Sequence, residues 1–280
     1  MKTSSLERYI ALALAALCSS GMAYANGYDE SGDVRIDGSC RFCDLRHGQA
    51  KGADLSGNRF QGAYLLGASF SEANLIGANF SSAALYQSNF RRADLSRAIF
   101  IRSKLGQANL DGATLVAARL NEANLTASSL VGADLSDAVA KKSLFTRATL
   151  INVFATKADF SYAELTQADL SHAQIRYSSL EFAMAKKAVL SGASIQRSNF
   201  RGSSFKESDF SQSKIYFNDF SGASLKGANF KNALIEGNDF AGVDFTGADF
   251  TGATMSDNFT GGANFCNATM PDGQKGKCLK

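Results

Sequence analysis

The sequence predicts a four-sided solenoid, and three observations carry that prediction. From Leu45 to Met270 a hydrophobic residue, or a small stand-in, falls on every residue number divisible by five. The run Leu65, Phe70, Leu75, Phe80, Leu85, Phe90 shows this frame, which continues for about 46 units of an internal repeat. A second small residue, usually alanine, stands two places earlier, as at Ala63, Ala68, Ala73 and Ala78. Residue types also recur at a spacing of twenty: Leu55, Leu75, Leu95, Leu115 and Leu135 form one series, continued by Ile175, Ile195, Ile215 and Ile235. Phe200, Phe220 and Phe240 form another. An α-helix repeats every ~3.6 residues and a strand every ~2, so neither keeps one face buried at period five. The chain must turn a corner in each unit. Like side chains stack well on like, so four units close one turn.

The position divisible by five is here called the centre. Centre and centre−2 point inward; the other three positions are mostly Asp or Asn, Ser, and Gly or a charge, and they face water. Ala53-Asp54-Leu55-Ser56-Gly57 and Ala248-Asp249-Phe250-Thr251-Gly252 are clear copies. At these residues the chain resembles the pentapeptide repeat family, whose pattern is A-[DN]-L-x-x. The resemblance implies an all-β fold, a right-handed quadrilateral β-helix with Leu or Phe stacked in the core and small residues at tight corners. About 11.5 coils at a strand spacing of ~4.8 Å then make a rod roughly 55 Å long. Stability in such a rod is a sum of nearest-neighbour stacking, so both ends need caps.

Residues 1–25 read as a secretory signal peptide rather than as part of the fold. Lys2 and Arg8 precede the apolar run from Ile10 to Leu17, and Ala23-Tyr24-Ala25 forms a small-x-small cleavage signature. That run is too short for a membrane span, and no other stretch is long and apolar enough for one. Residues 26–42 are expected as an N-terminal cap segment, 43–270 as the β-helix and 271–280 as a C-terminal cap tail. Within the helix, Ala50, Ala140, Ala155, Ala185 and Thr260 are small centres; phenylalanines one coil away, such as Phe160 beyond Ala140, fill the space. In the alternative reading Val139, Phe154 and Met184 lie outside beside lysines and mark a contact surface. Pro271, the only proline, follows the last centre and stops the ladder, and Asp272-Gly273 turns the tail back. The exported chain keeps Cys40, Cys43, Cys266 and Cys278. A disulfide needs Cα atoms about 4.4–6.8 Å apart. The two pairs stand at opposite ends of the rod, so Cys40–Cys43 and Cys266–Cys278 are the expected bridges, each a structural clamp.

Composition excludes more functions than it suggests. The formal net charge is +3, near neutral for this length, which neither steers the chain toward nucleic acid nor imitates it. His47 and His172 lie about six coils apart, so they build no metal site, and no phosphate loop or nucleophile elbow is present. The many Asp and Asn at centre−1 are products of the repeat and carry no catalytic signal. No catalytic residue, cofactor or metal is expected, and the chain reads as a non-enzyme. The informative surface feature is aromatic. Tyr162 and Phe182 share centre+2 twenty residues apart, with Lys142 below them; Tyr177 and Phe217 occupy the same slot on another face, with Arg197 between. These residues either shield the ladder or form a docking strip, since aromatics and Arg concentrate at interface cores. The reading is an exported structural or protein-interaction module, periplasmic or extracellular, with an unidentified protein partner and no nucleic acid. A DNA-mimicking, topoisomerase-binding protein is disfavoured by the charge and the signal peptide. A secreted effector with its activity outside the solenoid has too few residues there for a catalytic domain.

Overall fold

The computed structural model describes residues 40–278. The expected signal peptide and most of the expected 26–42 cap lie outside the described residues. Over the rest, every centre−1 residue from Asp44 to Asp249 bridges the residue twenty places on, and each of those bridges is parallel. The fold is an all-parallel β-solenoid of twenty-residue, four-cornered coils. Cys40 occupies the first centre: it is buried, and its N–H donates to the Arg59 carbonyl at 2.8 Å.

The five-residue period follows from where each backbone N–H goes. Around Leu55, the Leu55 N–H donates to the Asn74 carbonyl and the Gly57 N–H to the Ile76 carbonyl, both at 2.8 Å and both on the next coil. The Asn74 N–H returns to the Ala53 carbonyl at 2.9 Å. The Asn58 N–H closes the corner on the Leu55 carbonyl at 3.2 Å, a four-residue turn. The remaining donor, Ser56 N–H, goes to the Asp54 carboxylate at 3.1 Å. The N–H at each of the five positions of the repeat therefore has a partner, the centre−1 position being represented here by Asn74, as a buried backbone demands. This is why Asp or Asn recurs at centre−1: its short side chain holds the N–H two residues on. The corner also forces centre+2 into the left-handed region, as with Gly57 at φ 67° and Ala117 at φ 56°. Glycine adopts that conformation freely, whereas an L-residue is strained by roughly 1–2 kcal/mol there.

Inside, the centres stack by coil. Phe60, Phe80 and Phe100 form one column with ring centroids 4.8 and 5.0 Å apart, and Phe70 stacks on Phe90 at 5.2 Å. Neighbouring columns meet edge to face, as Phe60 meets Phe70 at 5.8 Å. Each such pair adds ~0.5–1.5 kcal/mol to its burial. The small centres Ala140, Ala155 and Ala185 are buried, and Phe145 and Phe160 meet at 5.7 Å beside Ala140. Thr260 is exposed; it lies in the last coil, and among the described residues nothing stacks beyond it.

One face departs from the pattern in its second half. There the chain forms the named strands β1 (Phe154–Thr156), β2 (Gln174–Arg176), β3 (Ser194–Gln196), β4 (Lys214–Tyr216), β5 (Leu234–Glu236) and β6 (Thr254–Ser256), a six-stranded parallel sheet in sequence order. The corner bond that follows each centre elsewhere is replaced by a side-chain ladder. Asn218 is buried; its Oδ1 accepts the Ser198 N–H at 2.9 Å, and its Nδ2 donates to the Ile195 carbonyl at 3.0 Å and to Asn238 Oδ1 at 2.9 Å. Asn238 repeats this with Asn218 N–H, the Ile215 carbonyl and Asn258. Ser178 and Ser198 begin the column. The only sequence signal was a polar residue at centre−2, where alanine is the rule.

Both ends carry the bonded cysteine pairs. Cys40 and Cys43 join across the first corner, with Cα atoms 5.3 Å apart. Cys266 bonds Cys278, and between them the tail folds back so that Thr269 pairs antiparallel with Lys275. The Gly273 N–H closes the Pro271-Asp272 turn on the Met270 carbonyl at 2.9 Å. A side chain at Gly276 would collide with the Phe265 backbone, so the tail lies directly against the last coil.

Candidate functional site

The sites the sequence singles out fall on two corner columns that border one face, the face with centres Phe160, Leu180 and Phe200. Lys142, Tyr162 and Phe182 stand at the corner where the chain leaves that face. The Tyr162 and Phe182 rings stack at 5.2 Å with an interplanar angle of 24°, and both are well exposed, at 51% and 43%. The left-handed backbone of each, at φ 62° and 54°, holds them at this corner. The Phe182 ring then leans over Gly202, occupying the space a Cβ there would need. The aromatic run therefore ends at a glycine, which loses its own exposure to the ring above.

Leu144 and Met184 extend this column onto the adjoining face. They flank Glu164 in parallel register and are 41% and 53% exposed. Phe154, singled out with Met184, is exposed on the sheet face instead, and Val139 is half-buried. The lysines around the patch are partly occupied: Lys141 pairs with Asp159 at 2.9 Å, and Lys186 and Lys187 share Glu207 at 3.1 and 3.6 Å. Burial opposes ionisation of Asp159, but the Ser161 hydroxyl and Lys141 outweigh it and hold its carboxyl below the usual range. The Lys186 ammonium likewise holds Glu207 low.

The second column holds Tyr177, Arg197 and Phe217 at the opposite edge of the same face. The Arg197 guanidinium lies between the two rings, 5.9 Å from each centroid, an arrangement favoured by the ring quadrupoles. Phe217 leans over Gly237 as Phe182 does over Gly202. Between the columns the outward residues are polar: Ser179, Glu181, Asn199 and Arg201.

His47 and His172 are exposed on different corners, and each ring covers a glycine, Gly67 and Gly192 respectively. Among the described residues no cluster of His, Cys, Asp or Glu could hold a metal ion, and no helix is long and apolar enough to cross a membrane. The centre−1 carboxylates are engaged in their own turns, as Asp94 is with the Ser96 N–H and hydroxyl.

The repeat, its twenty-residue register and its corner chemistry can be set against known families. The family model described as pentapeptide repeats (8 copies) matches residues 39–77, 53–92, 78–116, 118–154, 141–180, 173–212 and 219–257. This chain belongs to the pentapeptide repeat family. No curated protein matches it. Among solved structures it is similar to HetL, a pentapeptide repeat protein involved in heterocyst differentiation regulation from the cyanobacterium Nostoc sp. strain PCC 7120. Identity there is 26%, covering 83% of this chain and 92% of that one, with a TM-score of 0.36. QnrB1, a plasmid-mediated fluoroquinolone resistance protein, matches at 17% identity over 68% of this chain and 88% of its own, with a TM-score of 0.45. A pentapeptide repeat protein from the Arabidopsis thaliana thylakoid lumen matches at 25% identity over 40% and 65% of the two chains, with a TM-score of 0.15.

Proposed function

We propose that this pentapeptide repeat protein is an exported, non-enzymatic module whose outer surface docks another protein. The observation that carries the reading is the Tyr162–Phe182 stack, continuous with Leu144 and Met184: four exposed apolar side chains on a rigid scaffold. Large aromatics held without conformational freedom lose little entropy on binding, which suits them as anchors. Lys142 rims the patch and Tyr177, Arg197 and Phe217 form a second strip across the same face. Two features support export: the leader-like residues 1–25, and the bonded cysteine pairs at both ends, which persist in oxidising compartments. The same pairs act as clamps that hold the terminal coils closed.

Two measurements test the reading separately. The protein purified from its native source should begin at Asn26 when sequenced from its N-terminus; an intact Met1 in a cytosolic fraction would refute export. Pull-down from the native periplasm with the mature chain should capture a partner that is lost when Tyr162 and Phe182 are both changed to Ser. Equal capture by that variant would refute the docking site while leaving export untouched.

A further inference from the structure

The centre+1 column of the face that carries Leu144 and Met184 changes character partway along the rod. It reads Thr126, Thr146 and Thr166, then Lys186, Lys206 and Lys226, then Thr246. The backbone fixes this register: the Lys206 carbonyl accepts the Lys187 N–H at 2.9 Å, and the Lys226 carbonyl accepts the Glu207 N–H at 2.8 Å. The three lysines are exposed and stand one coil apart, ~4.8 Å, so their charges repel. Glu207 is taken up by Lys186 and Lys187. Lys206 and Lys226 form no ion pair among the described residues. Four lysines around one carboxylate leave positive charge in excess over these three coils.

Beside the lysines the surface is a shelf of small residues. Met184 is followed in its own column by Ser204 and Ser224, in parallel register. At the corner, Phe182 is followed by Gly202 and Gly222. We propose that this shelf takes an acidic peptide segment of the docked partner. Its carboxylates meet Lys186, Lys206 and Lys226, and an apolar side chain of the same segment meets Phe182 and Met184. The inference rests on the docking site proposed above and names the chemistry of what docks there. Charge-assisted bonds from the ammoniums to carboxylates would relieve the repulsion within the ladder.

Continuity with the apolar patch and the short length of the ladder favour a peptide over other anions. Lys186 stands two residues after Met184 on the same face, so charge and apolar surface form one site. The end lysines are two coils apart, ~10 Å, which about four residues of extended chain span. The ladder is flanked by acids on its own face, Glu164 in the coil before it and Asp244 in the coil after it. An anionic membrane lying along this face, or a long polyanion, would set its own charges against those two carboxylates. A short segment meets the lysines alone. The serines and glycines of the shelf leave room for its backbone to approach.

A fluorescently labelled glutamate oligopeptide, titrated with the mature chain and read by anisotropy, tests the ladder. Binding at about 20 mM salt that weakens at about 0.5 M is expected. Lys206→Glu combined with Lys226→Glu should weaken it at least ~10-fold. Lys214→Glu, on the opposite side of the rod, should leave it within ~2-fold. Glutamate already stands at centre+1 at Glu181 and Glu236 and at centre−1 at Glu164, so the fold accepts these changes. No binding at low salt, or equal binding by the double variant, would overturn the proposal. So would vesicles of phosphatidylglycerol that sediment with the parent and not with the double variant, since the ladder would then serve a membrane surface. Pull-down from the native periplasm distinguishes the acidic segment from the docking site itself. A partner lost when Tyr162 and Phe182 are changed to Ser should also be lost by the double lysine variant. A partner kept by the lysine variant would refute the acidic segment and leave the docking site standing. No capture by the parent would refute the docking site first, and this inference with it.

Discussion

Replacing Asn218 with Leu should unravel the polar corner of the sheet face. The side chains are close in volume, so packing changes little, but three hydrogen bonds disappear. The Ser198 N–H loses its acceptor, and the Ile195 carbonyl and Asn238 Oδ1 each lose a donor, all at buried positions. Leaving a buried polar group unsatisfied costs ~1–3 kcal/mol. Partial recovery of the ordinary corner bond, Ser198 N–H to the Ile195 carbonyl, offsets some of that. The expected loss is about 3 kcal/mol, concentrated in the coils around residues 195–240. Asn218→Ser should cost much less, ~1 kcal/mol, because Ser178 and Ser198 perform the same task in neighbouring coils. Amide hydrogen exchange read residue by residue is the assay, since a solenoid need not unfold in one step. Faster exchange at Ser198 and its neighbours in the Leu variant, with the N-terminal coils unchanged, is the predicted result. Protection within ~0.5 kcal/mol of the parent at those amides would refute the ladder's structural role.

Ile195→Lys should cost several kcal/mol by placing a charge among Ile175, Ile215 and the core, whereas Ser191→Ala on the outside should stay within ~0.5 kcal/mol; chemical denaturation distinguishes them. Ala117→Gly should stabilise by up to ~1 kcal/mol, since the residue sits at φ 56° and relief of strain outweighs glycine's entropy; a lowered melting temperature would contradict this. Reduction of Cys266–Cys278 should cost up to ~3 kcal/mol and loosen the last coils alone, with exchange in residues 110–170 unaffected.

The parts of the fold legible in the sequence are those where one position repeats under one physical demand. Burial acts on Leu55 and Leu75 alike, so the centres and the twenty-residue register stand out without a structure. The Asp and Asn at centre−1 were legible as repeat products, though the bond from Asp54 to the Ser56 N–H required coordinates. The left-handed corners were hidden, because residues other than glycine, Arg, Gln, Lys and Tyr among them, occupy centre+2 more often than glycine does. There the inter-coil hydrogen bonds impose the conformation and override the preference of the residue. The polar ladder was hidden for a related reason: Ser178, Ser198, Asn218, Asn238 and Asn258 replace alanine at an inward position, and only the altered corner explains it. In the site, the stacking of Tyr162 on Phe182 and of Arg197 between Tyr177 and Phe217 follows from the period alone. The contribution of Leu144 depends on which face adjoins that corner, which the linear order does not display.

A photo-crosslinking residue placed at Phe182 in the native compartment tests docking most directly. A second variant carries the same probe at Ser211, on the face away from the aromatic columns. The account predicts one discrete crosslinked product from the Phe182 position and none from Ser211. Equal labelling at both positions, or none at Phe182, would contradict it.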